Sequence, residues 1–80
     1  MKRLTVLYFA VLREQRGLAS ESLTTQAGTA ADLYGELRTR HSFTLPAESL
    51  RAALNGDFAP WTAELRDGDD VAFLPPVSGG

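Results

Sequence analysis

The sequence predicts a small two-layer α+β domain, in which one face of a mixed sheet of four to five strands packs on one main helix. Three observations lead to this fold class. The chain starts with an apolar strand, carries one well-capped helix in its middle, and continues with short strands separated by Gly and Asp turns. Because eighty residues leave no room for a second core, a single domain is expected.

The first strand is predicted over residues 3–9, where apolar side chains alternate between the two faces. One face carries Leu4, Val6 and Tyr8, and the other carries Thr5, Leu7 and Phe9. After a break at Gly17, residues 20–25 predict a second strand that pairs with the first as an N-terminal hairpin.

The main helix is predicted to begin after Thr29, which is a good N-cap residue, with Asp32 completing a variant of the capping box. Pro46 limits the helix downstream. His41, near the C-terminal end, is interpreted as a capping or dipole contact and not as a ligand. The apolar residues at helical spacing are Ala30, Leu33, Tyr34 and Leu37.

Residues 50–54 predict a third strand, and Asn55-Gly56 predicts the tight turn that returns the chain through Asp57 and Phe58. Trp61, in the connector that follows, is interpreted as an anchor in the core or at its rim.

A turn at residues 67–69 leads into the last predicted strand, residues 71–74. The order of two strands, one helix and three strands is that of the β-grasp fold. We therefore expect a β-grasp domain over residues 1–74 and an extended tail over residues 75–80.

One face of such a sheet stays uncovered, because a single helix covers only the other. The apolar residues at the alternate strand positions that face this uncovered side are Leu7, Phe9 and Leu74. Phe58 of the hairpin is expected to join them. Phe9, Phe58 and Leu74 are the predicted partner-binding patch, since exposed apolar patches usually serve partners. The alternative is that some of them fill edges of the core.

Composition excludes several function classes. With no Cys and one His, the sequence predicts no disulfide, no thiolate nucleophile and no metal site. A net charge of −2 argues against a nucleic-acid partner. The apolar start ends at charged residues 13–16 without a cleavage site, and no run approaches the ~20 apolar residues of a membrane span, so we expect a cytoplasmic chain without a membrane partner.

The last six residues form a distinctive tail. Pro75 and Pro76 cannot donate backbone hydrogen bonds, so they end the sheet pairing and favour an extended exit. Gly79 and Gly80 lack Cβ atoms and can thread a narrow channel. The predicted insertion segment is Pro75, Pro76, Val77, Ser78 and Gly79. The alternative is a frayed terminus.

We predict that the reactive group of this tail is the carboxylate of Gly80. A carboxylate is a poor electrophile until it is converted to an acyl-adenylate, and the sequence contains no phosphate-binding motif for ATP. A separate activating enzyme would therefore use the ATP, and this chain would bind no cofactor permanently. The activated carbonyl could then accept sulfur, giving a thiocarboxylate, or a lysine amine, giving an isopeptide bond.

Nearly the whole chain resembles the small subunits of molybdopterin synthase, a family of ubiquitin-like sulfur carriers. The motifs that carry the resemblance are Tyr8-Phe9-Ala10-x-Leu12-Arg13-Glu14, Thr29-x-Ala31-Asp32-Leu33, Ala53-Leu54-Asn55-Gly56, and Asp67-Gly68-Asp69-Asp70-Val71-Ala72-Phe73-Leu74-Pro75-Pro76-Val77-Ser78-Gly79-Gly80. The last of these is the most specific. Leu74 departs from the aromatic residue that this family frequently has before Pro-Pro.

The resemblance implies a reaction cycle and its partners. An adenylyltransferase similar to ubiquitin-activating enzymes would adenylate Gly80, and a sulfurtransferase would supply sulfur for the thiocarboxylate. The tail would then enter the large synthase subunit, in a heterotetramer, and donate sulfur to cyclic pyranopterin monophosphate. The large subunit would provide most catalytic side chains, so the resemblance implies that this chain would be a sulfur donor in molybdenum cofactor biosynthesis rather than a catalyst.

Three alternatives stay open on the sequence. A thiamine-type sulfur carrier would use the same tail chemistry with a different recipient. A protein modifier would be conjugated to target lysines through Gly80. A plain interaction module would bind a partner through its sheet face without any chemistry.

Overall fold

The computed structural model describes residues 1–75. The elements of this part of the chain are β1 (Lys2–Tyr8), α1 (Ala10–Arg16), β2 (Ser20–Thr25), α2 (Ala30–His41), a 3-10 turn (Ala47–Ser49), β3 (Arg51–Leu54), β4 (Asp57–Ala59) and β5 (Asp70–Leu74). The strands form one sheet in the order β2-β1-β5-β3-β4. β5 runs parallel to β1, and the other neighbours are antiparallel. The predicted mixed-sheet α+β class is confirmed.

The core lies between one face of the sheet and α2. Leu4, Val6 and Tyr8 are fully buried there, as the alternation of β1 predicts. The parallel register pairs Val6 with Val71 and Tyr8 with Phe73, so β5 presents these two residues to the same core. The helix contributes its predicted apolar residues, which are Ala30, Leu33, Tyr34 and Leu37.

Aromatic rings close one end of this core. The ring of Trp61 lies parallel to that of Phe73, with centroids 5.8 Å apart, and is tilted against Tyr34 at the same distance. Trp61 is only partly buried. The interpretation of Trp61 as an anchor at the rim of the core is therefore confirmed.

The short helix α1 was not expected from the sequence. β1 ends at Tyr8, so Phe9 is the N-cap of α1 and not a strand residue. The helix starts with Ala10 in the left-handed region, at φ 52°, and ends at Gly17, whose N–H donates to the carbonyl of Arg13 at 2.8 Å. Its seven residues bury one apolar side chain, Leu12, which is too little for a periodic pattern.

Two predicted local signals, the N-cap of α2 and the hairpin turn, are confirmed. The hydroxyl of Thr29 accepts the N–H of Asp32 at 3.2 Å and caps α2. Asn55 and Gly56 have φ values of 52° and 90°, and β3 and β4 pair across them as an antiparallel hairpin. β3 starts one residue later than expected, because Leu50 caps the 3-10 turn. No helix within residues 1–75 is long and apolar enough to cross a membrane.

Candidate functional site

The chain leaves the domain at the end of β5, a central strand of the sheet. β5 ends at Leu74, and the half-buried Pro75 is the last described residue. Because β5 is parallel to β1, its carboxyl end lies at the end of β1 that carries Tyr8. On its other side, Leu74 pairs with Arg51, the first residue of β3. The remaining predicted tail residues, which are Pro76, Val77, Ser78, Gly79 and Gly80, lie outside the described residues.

An apolar row crosses the uncovered face of the sheet next to this exit. Leu7 of β1 pairs with Ala72 of β5, Ala72 pairs with Ala53 of β3, and Ala53 pairs with Phe58 of β4. Residues that pair directly lie on the same face, so the row is continuous over four strands. Phe58 at its end is 63% exposed. We name these four residues the open-face row.

The predicted partner-binding patch lies along and beside this row. Phe58 belongs to it, and Leu74 lies on the same face because it is two residues after Ala72 on β5. Phe9 follows β1 at the exit end and is 42% exposed. The structure thus places Phe58 and Leu74 on one face and Phe9 at its edge. Their role in binding a partner stays a prediction.

Arg51 lies in this region although the sequence did not predict it as a site residue. Its guanidinium carbon lies 4.2 Å from the centroid of the Phe58 ring, a distance at which a cation–π interaction is favourable. Arg51 is exposed and pairs with Leu74, so it is a cation beside the chain exit. Only the sheet register brings it there, because Arg51 and Leu74 are distant in the sequence.

Two acidic residues of the 67–69 turn fix the start of β5. The carboxylate of Asp69 accepts hydrogen bonds from the Asn55 amide at 3.0 Å and from the Arg66 backbone at 2.8 Å, and these two bonds lower its pKa. Asp67 accepts the backbone N–H of Arg3 at 2.7 Å. The turn therefore ties the beginning of β5 to its two neighbouring strands.

A second charged cluster lies at the other side of the sheet, around Glu21 of β2. Arg16 forms two hydrogen bonds to its carboxylate, both at 2.8 Å, and the Tyr8 hydroxyl donates to Oε2 at 2.6 Å. The bonds from Arg16 are the main cause that lowers the pKa of Glu21 to about 2. Burial is the main cause that raises the pKa of Tyr8, so the phenol stays neutral.

His41 joins this cluster from the last residue of α2. Its Nε2 lies 3.9 Å from Oε2 of Glu21, and its ring packs against Phe43 with centroids 5.6 Å apart. Burial and the nearby Arg16 lower the pKa of His41. Within residues 1–75, no three His, Asp or Glu side chains are grouped as a metal site. The cluster thus connects β1, α1, β2 and α2. The sequence shows that charged residues occur in these segments, but it does not show that they meet.

Comparison with known proteins finds the same small domain in related chains. The model of the ThiS family matches residues 6–80. The molybdopterin synthase sulfur carrier subunit of Escherichia coli (strain K12) is 35% identical over 78 residues, which cover 94% of this chain and 96% of that protein. The family-model match includes the chain exit and the residues that follow it, because it extends to Gly80.

Solved structures agree with the fold. A protein of Pyrococcus furiosus named molybdopterin converting factor, subunit 1, is 31% identical and superposes with a TM-score of 0.81, over 96% of this chain and 100% of the other. The small archaeal modifier protein 1 of Methanosarcina acetivorans is 26% identical with a TM-score of 0.79, over 100% and 98% of the two chains. The whole domain is therefore shared with these proteins.

Proposed function

The chain belongs to the ThiS family, and we propose that it is the sulfur carrier subunit of molybdopterin synthase. The observation that carries this proposal is the full-length similarity to the sulfur carrier subunit of Escherichia coli, at 35% identity. The described domain supports it, because its central strand β5 leads directly into the Pro-Pro-Val-Ser-Gly-Gly segment. The proposed function belongs to molybdenum cofactor biosynthesis, and we expect it in the cytoplasm.

In the proposed cycle, the carboxylate of Gly80 is the only part of the chain that reacts. It attacks the α-phosphate of ATP on a separate adenylyltransferase, which releases pyrophosphate. A sulfurtransferase then supplies the sulfur that displaces AMP and leaves a thiocarboxylate. Once this sulfur has passed to cyclic pyranopterin monophosphate, water provides the oxygen that restores the carboxylate. No side chain of the domain has to act as acid, base or nucleophile.

The domain itself serves as the docking part of the carrier. We propose that the open-face row, with Phe9 and Leu74 beside it, packs against the large synthase subunit. The exposure of Phe58 and the position of Leu74 on the same face, next to the chain exit, support this, since docking there would bring the exit close to the partner. The term "subunit" in the name of the Escherichia coli relative is in keeping with such a partner.

The test is an intact-mass measurement on the purified chain. Incubation with an adenylyltransferase of this pathway, ATP and a sulfur donor is expected to increase the mass by the difference between one sulfur and one oxygen atom. A variant that lacks Gly80 should show no increase, while its thermal unfolding transition stays nearly unchanged. The loaded chain, mixed with a large synthase subunit, should then convert the pterin precursor.

A protein modifier is the second candidate function, and the similarity to the modifier of Methanosarcina acetivorans favours it. Its signature in the same measurement would be conjugates between Gly80 and lysines of other proteins. Conjugates without any exchange of oxygen for sulfur would contradict the carrier proposal. A loaded chain that fails with the large subunit but supports thiazole formation would indicate the thiamine-type carrier.

A further inference from the structure

The guanidinium of Arg51 packs on an aromatic ring and has no acidic partner within residues 1–75. Its carbon atom lies 4.2 Å from the centroid of the Phe58 ring. The ion pairs of this part of the chain are formed by Arg16, Arg40 and His41, so none of its carboxylates lies within 4 Å of Arg51. The cation–π contact uses the positive charge of the guanidinium and leaves its N–H donors available.

A hollow opens beside this guanidinium at the outer edge of the sheet, where β4 is the last strand. Its volume of about 370 Å³ exceeds the ~30 Å³ that one water occupies in the liquid, so the hollow has room for a side chain. The residues that line it are Arg51, Ala52, Phe58, Ala59, Pro60 and Trp61.

The side chains that line the hollow offer hydrogen-bond donors and no acceptor. Arg51 and Trp61 carry only N–H donors, and the other four side chains are apolar. The side-chain hydrogen bonds formed within residues 1–75 use neither of these two donor groups. A planar cation with several donors matches a carboxylate, which can accept two parallel bonds from it. The hollow therefore suits an acidic side chain.

The charges of the open face are arranged along the direction of β5. Arg51 pairs with Leu74, the last residue of this strand. Asp70, its first residue, lies on the same face four residues earlier, or ~13 Å away along the strand. The pair between these two positions, Ala72 and Ala53, is uncharged. A partner with complementary charge would thus present a carboxylate near the chain exit.

We propose that an aspartate or glutamate side chain of the large synthase subunit enters this hollow and accepts hydrogen bonds from Arg51. The inference rests on the proposed function, because it takes the large subunit as the partner. Phe58 belongs both to the open-face row and to the lining of the hollow, so a partner that covers the row also covers the hollow. Exclusion of water strengthens the ion pair, and stacking on Phe58 reduces the freedom that Arg51 loses on binding.

The test measures the dissociation constant between the full chain and the large synthase subunit by titration calorimetry. Arg51→Gln removes the charge and should weaken binding at least about tenfold, mainly through faster dissociation. Arg51→Lys should recover only part of this loss, because lysine keeps the charge without the planar set of donors. Urea unfolding should give the same midpoint for wild type and both variants, since Arg51 is exposed.

Arg3→Gln is the matched control. It removes the same charge from the same face at the far end of β1, and it keeps the backbone N–H that binds Asp67. Its dissociation constant should stay within about twofold of wild type, as for an isolated surface charge. A loss of affinity equal to that of Arg51→Gln would overturn the proposal, because the effect would then come from net charge alone.

A double-mutant cycle identifies the carboxylate in the partner. Exposed aspartates and glutamates of the large subunit are replaced one at a time by asparagine or glutamine. One replacement should weaken binding of wild type about as much as Arg51→Gln does, and should have little further effect on the Arg51→Gln chain. The proposal would be overturned if no replacement behaved in this way, or if Arg51→Gln bound like wild type. Absence of binding by wild type would reject the proposed function as well, whereas the other outcomes reject this inference alone.

Discussion

Glu21 receives hydrogen bonds from two elements other than its own strand. Arg16 of α1 and Tyr8 of β1 both bind its carboxylate, and the three side chains are at least partly shielded from water. Because the carboxylate is the only acceptor common to these donors, its removal leaves the Tyr8 hydroxyl and the Arg16 guanidinium without their partner. Glu21 thus holds the short helix α1 against the sheet.

We expect Glu21→Gln to lower the free energy of unfolding at pH 7 by about 1–2 kcal/mol, at the low end for charged hydrogen bonds because water still reaches the pair. The pKa of Glu21 falls from 4.5 to about 2 on folding, so its stabilisation is fully present above pH 4.5 and is lost between pH 4.5 and pH 2. Urea unfolding at pH 7, 4 and 2 measures both effects.

Glu48→Gln, on the exposed surface of the 3-10 turn, is the matched control. It should leave the unfolding midpoint at pH 7 within experimental error of wild type. The difference between wild type and Glu21→Gln should shrink as the pH approaches 2. A constant difference over this range would show that the ionised carboxylate is not what stabilises the cluster.

At the scale of elements, two glycines have opposite roles. Gly56 has φ 90° in the hairpin turn between β3 and β4, where a side chain strains the backbone although no atom lies within 4 Å of the point that a Cβ would occupy. Gly35 lies inside α2, also with free space around that point and with no positive φ. A methyl group added at the two sites therefore differs only in its effect on the backbone.

We expect Gly56→Ala to destabilise the domain by about 1 kcal/mol and Gly35→Ala to stabilise it by about 0.5–1 kcal/mol. Chemical denaturation of the two variants and of wild type gives both values. Equal effects of the same sign would mean that local backbone preference does not control these elements. The reverse order would place the strain in the helix and not in the turn.

At the scale of the whole molecule, the two faces of the sheet have different surroundings. Phe73 lies on the covered face and is fully buried between Tyr34 and Trp61, whereas Phe58 lies on the open face and is 63% exposed. Phe9, at the exit edge, is also exposed and offers no side-chain cap to α1. Phenylalanine is therefore a core residue at position 73, whereas at positions 58 and 9 it is exposed and accessible to a partner.

We expect Phe9→Ser and Phe58→Ser to weaken binding to the large synthase subunit at least about tenfold, as loss of an interface anchor does. Their free energies of unfolding should change by about 0.5 kcal/mol or less. For Phe9→Ser, the serine also supplies a preferred N-cap for α1. Calorimetric titration and urea unfolding measure the two quantities.

Phe73→Ala is the matched core variant. It should lose about 3–5 kcal/mol of stability, which is a large part of the total for a domain of this size. If Phe9→Ser or Phe58→Ser unfolded the domain to a similar degree, these residues would be core residues and the proposed docking face would be wrong.

The sequence alone determined the features that depend on neighbours along the chain. These features are the Thr29 cap, the Asn55-Gly56 turn and the alternating burial of β1. Each follows from interactions over two to four residues, so it can be predicted without knowledge of the fold. The α+β class follows from the order of these elements. The α1 helix was missed because a seven-residue helix with one buried side chain is stabilised by its contacts with the sheet and not by its own pattern.

Only the tertiary structure determines which residues lie beside the chain exit. The insertion of β5 between β1 and β3 joins residues that are far apart in sequence, and this register pairs Leu74 with Arg51 and leaves Lys2 at the opposite end. The cluster of Glu21 with Tyr8, Arg16 and His41 likewise needs four elements to meet. Such contacts depend on which strands pair and in which register, and no local propensity encodes that choice.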